Sequence, residues 1–181
     1  MQPIGPLMIE HRLIEKMIAL MAAEAERVDA GGEPDPRLIE TAVDFIRTYA
    51  DRTHHGKEED ILFRDLAKKD LSDADRGAMD ELVNEHVWAR GKVAKLVENT
   101  QRWTAGEESA RAEIVAAMKE LTEFYPQHIA REDKVFFPAA MKYLSAEEQG
   151  AMIAEEYEFD RQMIHQKYKA VVEALGALDK T

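Results

Sequence analysis

Two segments of this sequence place a histidine four residues before a glutamate, and each continues into an apolar run that ends in phenylalanine. The segments cover residues 54–63 and 128–137. On an α-helix, residues i and i+4 share one face about 5–6 Å apart, so one metal ion can contact both side chains. Each segment therefore predicts a metal-binding pair. The two pairs are His54 with Glu58 and His128 with Glu132.

A further histidine lies upstream of each segment, in the dipeptides Glu10-His11 and Glu85-His86. The lone histidines are 75 residues apart and the His-Glu pairs 74 residues apart, since 86 − 11 is 75 and 128 − 54 is 74. Such near-constant spacing indicates a duplicated helical hairpin. The two copies together predict a two-metal site whose ligands are His11, His54, Glu58, His86, His128 and Glu132.

The chemical types of the six predicted ligands limit which metal ions the site can bind. Imidazole and carboxylate together suit Fe, Mn and Zn, whereas Ca and Mg prefer oxygen ligands alone. Carboxylates from opposite helices can bridge two ions about 3.5–4 Å apart. Because two divalent ions carry more charge than two glutamates neutralise, we expect an oxide, hydroxide or water bridge as well. The prediction is therefore two Fe ions, with Mn or Zn as alternatives, and open positions for a small ligand.

His55 offers a rival register, because His55 and Glu59 also have the i,i+4 spacing. Aligning the two copies pairs His54 with His128 and leaves His55 opposite Ile129. We therefore assign His54 and Glu58 to the site, and expect His55 to support a ligand or lie at the surface. Glu59 and Asp133 are expected to be solvated or paired with Lys and Arg.

Taken together, these motifs resemble the hemerythrin-like (HHE cation-binding) family over roughly residues 7–142. The resemblance implies a four-helix bundle around a non-haem di-iron centre. It also implies that the four histidines of the two copies are terminal ligands and that Glu58 and Glu132 bridge the metals.

One position departs from the oxygen-carrying hemerythrins, which have a second histidine four residues after the one on helix three. Here that residue is Arg90. The site thus resembles the four-His, two-Glu version of bacterial di-iron proteins linked to nitric oxide, peroxide or repair of iron centres. Arg90 either binds an anionic adduct or pairs with a carboxylate. Glu15 and Tyr125 have similarly open roles, and His165 is expected to lie on helix five as a boundary residue between core and surface.

Composition excludes several classes of function. A formal net charge of −12 disfavours nucleic acid and anionic membranes as partners. The chain has no cysteine, which excludes disulfides, iron–sulfur clusters and thiolate zinc sites. The sequence shows no signal peptide and no uncharged run of 18 residues. These features predict a cytoplasmic protein, as a monomer or homodimer.

Helical periodicity and capping signals place the motifs on helices. We predict an all-α, up-down-up-down four-helix bundle over residues 1–144, and an additional C-terminal fifth helix over residues 145–181 packed on it. Asp35, Ser72 and Ser145 are predicted N-caps, and a capping box from Thr104 to Glu107 is predicted to open helix four. Pro126 and Pro138 are expected to kink or interrupt that helix.

The predicted function is a non-haem di-iron protein that binds or reacts with dioxygen, nitric oxide or peroxide, in an oxidative or nitrosative stress response. The sequence leaves binding and enzymatic turnover equally open. The alternative is a structural or iron-buffering bundle without turnover.

Overall fold

The computed structural model describes residues 2–178, with side chains for residues 2–167 and 169, and this part of the chain is helical without strands. Helix α1 covers Ile4–Asp29, α3 covers Asp73–Thr104, and α5 covers Ala146–Leu178. Helices α2 (residues 36–66) and α4 (residues 110–143) each change helix type along their length. Residues 179–181 of the predicted fifth helix lie outside the described residues.

Helix α2 is α-helical over Pro36–Phe45 and Arg64–Leu66 and π-helical over Ile46–His55 and Glu58–Phe63. Helix α4 is α-helical over Ala110–Arg131, π-helical over Glu132–Phe136, α-helical over Phe137–Ala140 and ends in a 3-10 turn, Met141–Tyr143. Both His-Glu pairs thus adjoin π-helical turns, a conformation that occurs frequently at functional sites.

The four long helices close into a bundle. Helix α1 packs against α2 and α4, and α3 packs against the same two helices. Short loops join consecutive helices, which gives the predicted up-down-up-down order. Helix α5 packs on the π-helical segments of α2. The all-α bundle with an extra C-terminal helix is therefore confirmed, whereas the domain boundary at residues 144 and 145 stays a prediction.

Three of the predicted caps are confirmed. The Asp35 side chain accepts hydrogen bonds from the backbone N–H groups of Arg37 and Leu38. Ser72 caps α3 through the Asp75 N–H at 3.1 Å. Ser145 and Glu148 form a reciprocal capping box at the start of α5.

The predicted start of helix four is wrong. Thr104 is the last residue of α3, and α4 begins at Ala110. The Thr104 hydroxyl donates to the Gln101 carbonyl instead of capping a new helix, and Gly106 adopts a positive φ of 91° in the turn that follows. A Gly in this conformation is typical of a helix C-terminus, so the segment closes α3.

The expectation that Pro126 could interrupt the helix is wrong, whereas a kink there stays a prediction. The α-helical segment of α4 continues through Pro126 to Arg131 without interruption. Pro138 lies in the first turn of Phe137–Ala140, where the π-helical segment returns to α. A missing N–H is tolerated best in a first turn.

Two apolar clusters bracket the middle of the bundle. Along α1, Leu7 belongs to one cluster and Ile14 to the other, and His11 lies between them. Along α3, Leu82 and Val93 flank His86 in the same way. Burial of each such aliphatic side chain contributes about 1.5–3 kcal/mol. The clusters stabilise the bundle and shield the histidines from bulk water. Within residues 2–178, the helices lack an apolar stretch long enough to traverse a bilayer.

Candidate metal centre

The six side chains predicted as ligands meet in the middle of the bundle, and all are buried, with at most 2% exposure. Their imidazole Nε2 atoms point at the two glutamate carboxylates. The Nε2-to-oxygen distances are 3.2 Å for His11 to Glu132, 3.6 Å for His54 to Glu58, 3.5 Å for His86 to Glu58, 3.8 Å for His86 to Glu132 and 3.3 Å for His128 to Glu132.

The opposite ring nitrogen of each of these histidines contacts a second carboxylate. The Nδ1-to-oxygen distances are 2.8 Å for His11 to Asp133, 3.0 Å for His54 to Glu10, 2.7 Å for His86 to Glu59 and 2.7 Å for His128 to Glu85. An ionised carboxylate can only accept, so Nδ1 carries the proton. In a neutral imidazole the Nε2 lone pair is then left free and directed into the centre.

Each of these four outer carboxylates also pairs with a cation. The pairs are Glu10 with Lys57, Glu59 with Arg90, Glu85 with Arg131 and Asp133 with Arg12. Lys57 and Arg131 occupy matching positions, one residue before each inner glutamate. These contacts fix the orientation of the outer acids and hence hold the histidine tautomer.

The pKa values of the two inner carboxylates shift in opposite directions. Burial, reinforced by the nearby Glu132 charge, raises the pKa of Glu58. Burial also raises the pKa of Glu132, but the imidazoles of His128, His11 and His86 outweigh it and the net shift is downward. The two buried carboxylates therefore repel each other, and a cation between them would neutralise both.

The pKa values of the histidines depend on the same two effects, burial and contacts with nearby charged groups. Burial lowers the pKa of His54 to about 4. Burial also acts downward on His11 and His86, but their contacts with Glu132 raise the pKa of each overall. Burial and the contacts with Glu132 therefore act in opposite directions on the imidazoles of His11 and His86.

The inner atoms have no hydrogen-bond partner among the described residues. This holds for Nε2 of His11, His54, His86 and His128 and for both carboxylate oxygens of Glu58 and Glu132. Buried polar atoms without partners cost about 1–3 kcal/mol each. Such a cluster of orphaned nitrogen and oxygen atoms is the donor set that a transition-metal ion requires.

The potential ligand atoms fall into two groups, each within a 4.8 Å span. One group contains His11, His54, Glu58 and Glu132, and the other contains His55, His86 and His128.

The sequence model of the Hemerythrin HHE cation binding domain matches residues 2–140. The chain belongs to this family. It is also similar to uncharacterised proteins of Mycobacterium bovis and Mycobacterium tuberculosis, with 27% identity over 179 residues that cover 97% of this chain and 68% of each relative.

His55 is the main surprise in this hemerythrin-like centre. It is 2% exposed, so the surface alternative is wrong. Its ring stacks on His86, with centroids 3.8 Å apart and planes 10° apart. The rival pair with Glu59 is not formed, because Glu59 contacts His86 and Arg90.

The structure decides between the alternative roles predicted for some of the other residues. Arg90 pairs with Asp51 and Glu59, as the carboxylate alternative predicted. Glu15 is partly exposed and lies 3.3 Å from Arg12, so it does not orient a ligand. His165 is exposed on α5, outside both groups of candidate ligands.

Sequence reasoning missed the four outer acids as partners of the ligands. A signal was present, because both copies place an acid immediately before the lone histidine and immediately after the inner glutamate. The expected pairing of Glu59 and Asp133 with arginine is confirmed, but their hydrogen bonds to His86 and His11 were not foreseen.

A small cavity of about 70 Å³ reaches the centre between α2, α3 and α4. Its inner wall includes His55, His86 and Tyr125, and Arg90 and Asp51 lie on its polar side. Burial raises the pKa of Tyr125, so its hydroxyl stays protonated. Since about 10–15 Å³ of such volume already holds one water molecule, the cavity suits a ligand of a few heavy atoms.

Proposed function

We propose that this protein is a non-haem di-iron protein whose centre binds or reacts with a small ligand, namely dioxygen, nitric oxide or peroxide, in an oxidative or nitrosative stress response. The observation that carries the proposal is the set of orphaned Nε2 and carboxylate atoms buried together in the bundle. Membership of a cation-binding family supports the same conclusion.

The arrangement of ligands supports two ions. His11 and His54 would hold one ion, and His86 and His128 the other. Glu58 lies between His54 and His86, and Glu132 lies near His11, His86 and His128, so both carboxylates are placed to be shared. When bound, iron supplies open coordination positions and redox chemistry toward a small ligand.

The residues around the centre limit what reaches it. Ile46, Ala89 and Val93 line the small cavity beside His86, so the path favours a compact ligand over a bulky substrate. Phe63 and Phe137 lie flat against His86 and His11, with centroids 6.2 and 5.8 Å away. These rings exclude bulk water, which strengthens electrostatic interactions within the centre.

The first test is metal content. The chain expressed with ample iron should contain two iron atoms per molecule by elemental analysis. A single metal per chain, or zinc alone under those conditions, contradicts a di-iron centre. His165→Ala serves as a matched control, because this exposed histidine should not alter the count.

Turnover is the second test. The reduced, iron-loaded protein is mixed with excess hydrogen peroxide or nitric oxide, and the equivalents consumed per centre are counted. Many equivalents indicate an enzyme, and about one or two indicate a binding protein. No consumption indicates a structural or iron-buffering bundle and refutes the proposed reactivity. Glu58→Ala gives the background from iron outside the intact centre.

A further inference from the structure

The ring of His55 lies close to the rings of two histidines that are predicted as metal ligands. Its ring lies 3.8 Å from that of His86 and 5.8 Å from that of His128. One nitrogen from each of these three residues lies within a span of 4.8 Å. Two imidazole nitrogens at about 2.0–2.1 Å from one ion lie at most about 4.2 Å apart, which is close to the span observed here. Because a metal ion lies in the plane of each imidazole that binds it, the His55 ring must also turn out of its near-parallel stack on His86 for all three residues to bind one ion.

The hydrogen bonding of His55 is incomplete. Its Nδ1 atom is buried and has no hydrogen-bond partner in the part of the chain with described side chains. The closest carboxylate oxygen is that of Asp51 at 3.6 Å, and Asp51 itself accepts from Arg90 at 2.7 Å. A buried ring nitrogen without a partner is costly, so the geometry calls for a further interaction at Nδ1.

The Asp51–Arg90 pair repeats the arrangement behind the four other histidines. In each of those cases an acid that is itself paired with a cation faces Nδ1, and Nε2 points inward. A movement of about 0.5 Å between His55 and Asp51 would complete the same bond. The proton would then be fixed on Nδ1, and Nε2 would be free to bind a metal.

Local helix type explains how two consecutive histidines can both face the centre. The segment Ile46–His55 is π-helical. Because π-helical hydrogen bonds span five residues instead of four, each residue advances by a smaller angle than in an α-helix. His54 and His55 therefore share a broad inward face. In the second copy, the corresponding residue is Ile129, which is buried in the apolar cluster.

From these contacts we infer that His55 is a third histidine ligand of the metal ion held by His86 and His128, whereas the ion held by His11 and His54 has two. This inference rests on the metal centre of the proposed function. It makes the two metal positions chemically unequal, with the additional imidazole on the side of the small cavity.

The wild-type chain loaded with Co²⁺ provides a direct test. Each coordinated imidazole gives an exchangeable N–H signal in the proton NMR spectrum, shifted strongly by the paramagnetic ion. We expect such a signal from His55, assigned by its loss in His55→Phe, in addition to those of the other four histidines. Hyperfine-shifted N–H signals from those four alone would overturn the inference.

Metal affinity gives a second readout. His55→Phe retains a flat ring against His86 but removes both nitrogens, so the bundle should still fold. If the Phe variant does not fold, His55→Gln is used in its place. Loss of a residue that only orients a ligand weakens metal binding about 10–100-fold. In chelator competition with Co²⁺, we expect the affinity of the His55 variants for one ion to fall by more than about 100-fold. The other ion should stay bound.

The control variant is His165→Phe, which makes the same substitution at an exposed site and should leave both affinities unchanged. Two Co²⁺ ions bound to the His55 variants with wild-type affinity, and an unaltered visible spectrum, would overturn the inference while the metal centre stands. A wild-type chain that binds no Co²⁺ or iron would overturn the proposed function and this inference together.

Discussion

His128 donates a hydrogen bond of 2.7 Å from Nδ1 to Glu85, a residue of the neighbouring helix α3. The relationship has a counterpart in the other half of the bundle, where His54 donates to Glu10 on α1. In both halves the acid immediately precedes the lone histidine ligand. One dipeptide therefore supplies a candidate metal ligand and also orients a candidate ligand on another helix.

Removing this orientation should weaken the metal centre without unfolding the bundle. In Glu85→Gln the acceptor loses its charge, so the His128 tautomer is held less firmly. We expect metal affinity to fall about 10–100-fold, measured by chelator competition. Glu81→Gln is the matched control, since Glu81 is exposed on the same helix and also contacts Arg131. Equal affinities in the two variants would show that Glu85 does not orient the ligand.

The inner glutamates should behave differently from the terminal histidines. A shared carboxylate holds two ions against their mutual repulsion, whereas an imidazole serves one ion. Glu58→Ala and Glu132→Ala should each disturb both metals, seen as loss of metal and of the oxidised-state absorption spectrum. His11→Ala should weaken one ion more than the other. Uniform loss of both ions in His11→Ala would argue against this division of roles.

Removal of metal should destabilise the protein. Metal that binds only the folded chain at 100 times its dissociation constant contributes about 2.7 kcal/mol. For a chain of this size each kcal/mol shifts the melting temperature by roughly 2–4 °C. Chelation should therefore lower the melting temperature by several degrees, measured by calorimetry. An unchanged melting temperature and unchanged amide exchange after complete metal removal would contradict a core metal site.

Another buried acid, on the fifth helix, predicts a pH dependence of stability. Glu156 on α5 is 2% exposed, and neither of its carboxylate oxygens has a hydrogen-bond partner among the described residues. Burial raises the pKa of Glu156 to about 8, from 4.5 in the unfolded chain. Between these values the folded state holds a proton that the unfolded state has released. This residue therefore reduces the free energy of unfolding as pH rises from about 4.5 to 8.

Glu156→Gln should remove this decrease in the free energy of unfolding with rising pH. We expect the variant to be more stable than wild type by about 1–3 kcal/mol at pH 9 and nearly equal at pH 5, from urea unfolding. Glu158→Gln, an exposed change on the same helix, should leave the pH profile as it is. Parallel profiles for Glu156→Gln and wild type would mean that this carboxyl is ionised in the folded protein.

The sequence predicted the helical bundle and brought together the six inner residues, because a repeated i,i+4 pattern constrains which side chains share a face. It did not predict the π-helical turns, since His and Glu types do not distinguish π from α hydrogen bonding. The surface alternative for His55 failed for that reason. The start of α4 was missed because Thr104 and Glu107 resemble a capping box, whereas Gly106 adopts the conformation that ends α3.

The outer acids were harder to foresee for a different reason. Glu10 contacts His54 and Asp133 contacts His11, and these pairs are 44 and 122 residues apart in the chain. Only the packing of the helices brings them together. A charged residue beside a motif is common on solvated helices, so its type alone did not indicate this contact.

Lys57 is fully buried between the centre and α5, where it pairs with Glu10 and lies 2.9 Å from Asp160. Since Glu10 orients His54, a chain of three contacts connects the C-terminal helix to one metal ligand. The matching cation of the second half, Arg131, pairs with two acids of α3 instead. A displacement of α5 would thus reach the His54 side of the centre through these ion pairs, whereas on the His128 side the matching cation pairs within the bundle. The duplicated halves match in their inner residues, but among the described side chains this ion-paired link to the fifth helix belongs to the first half.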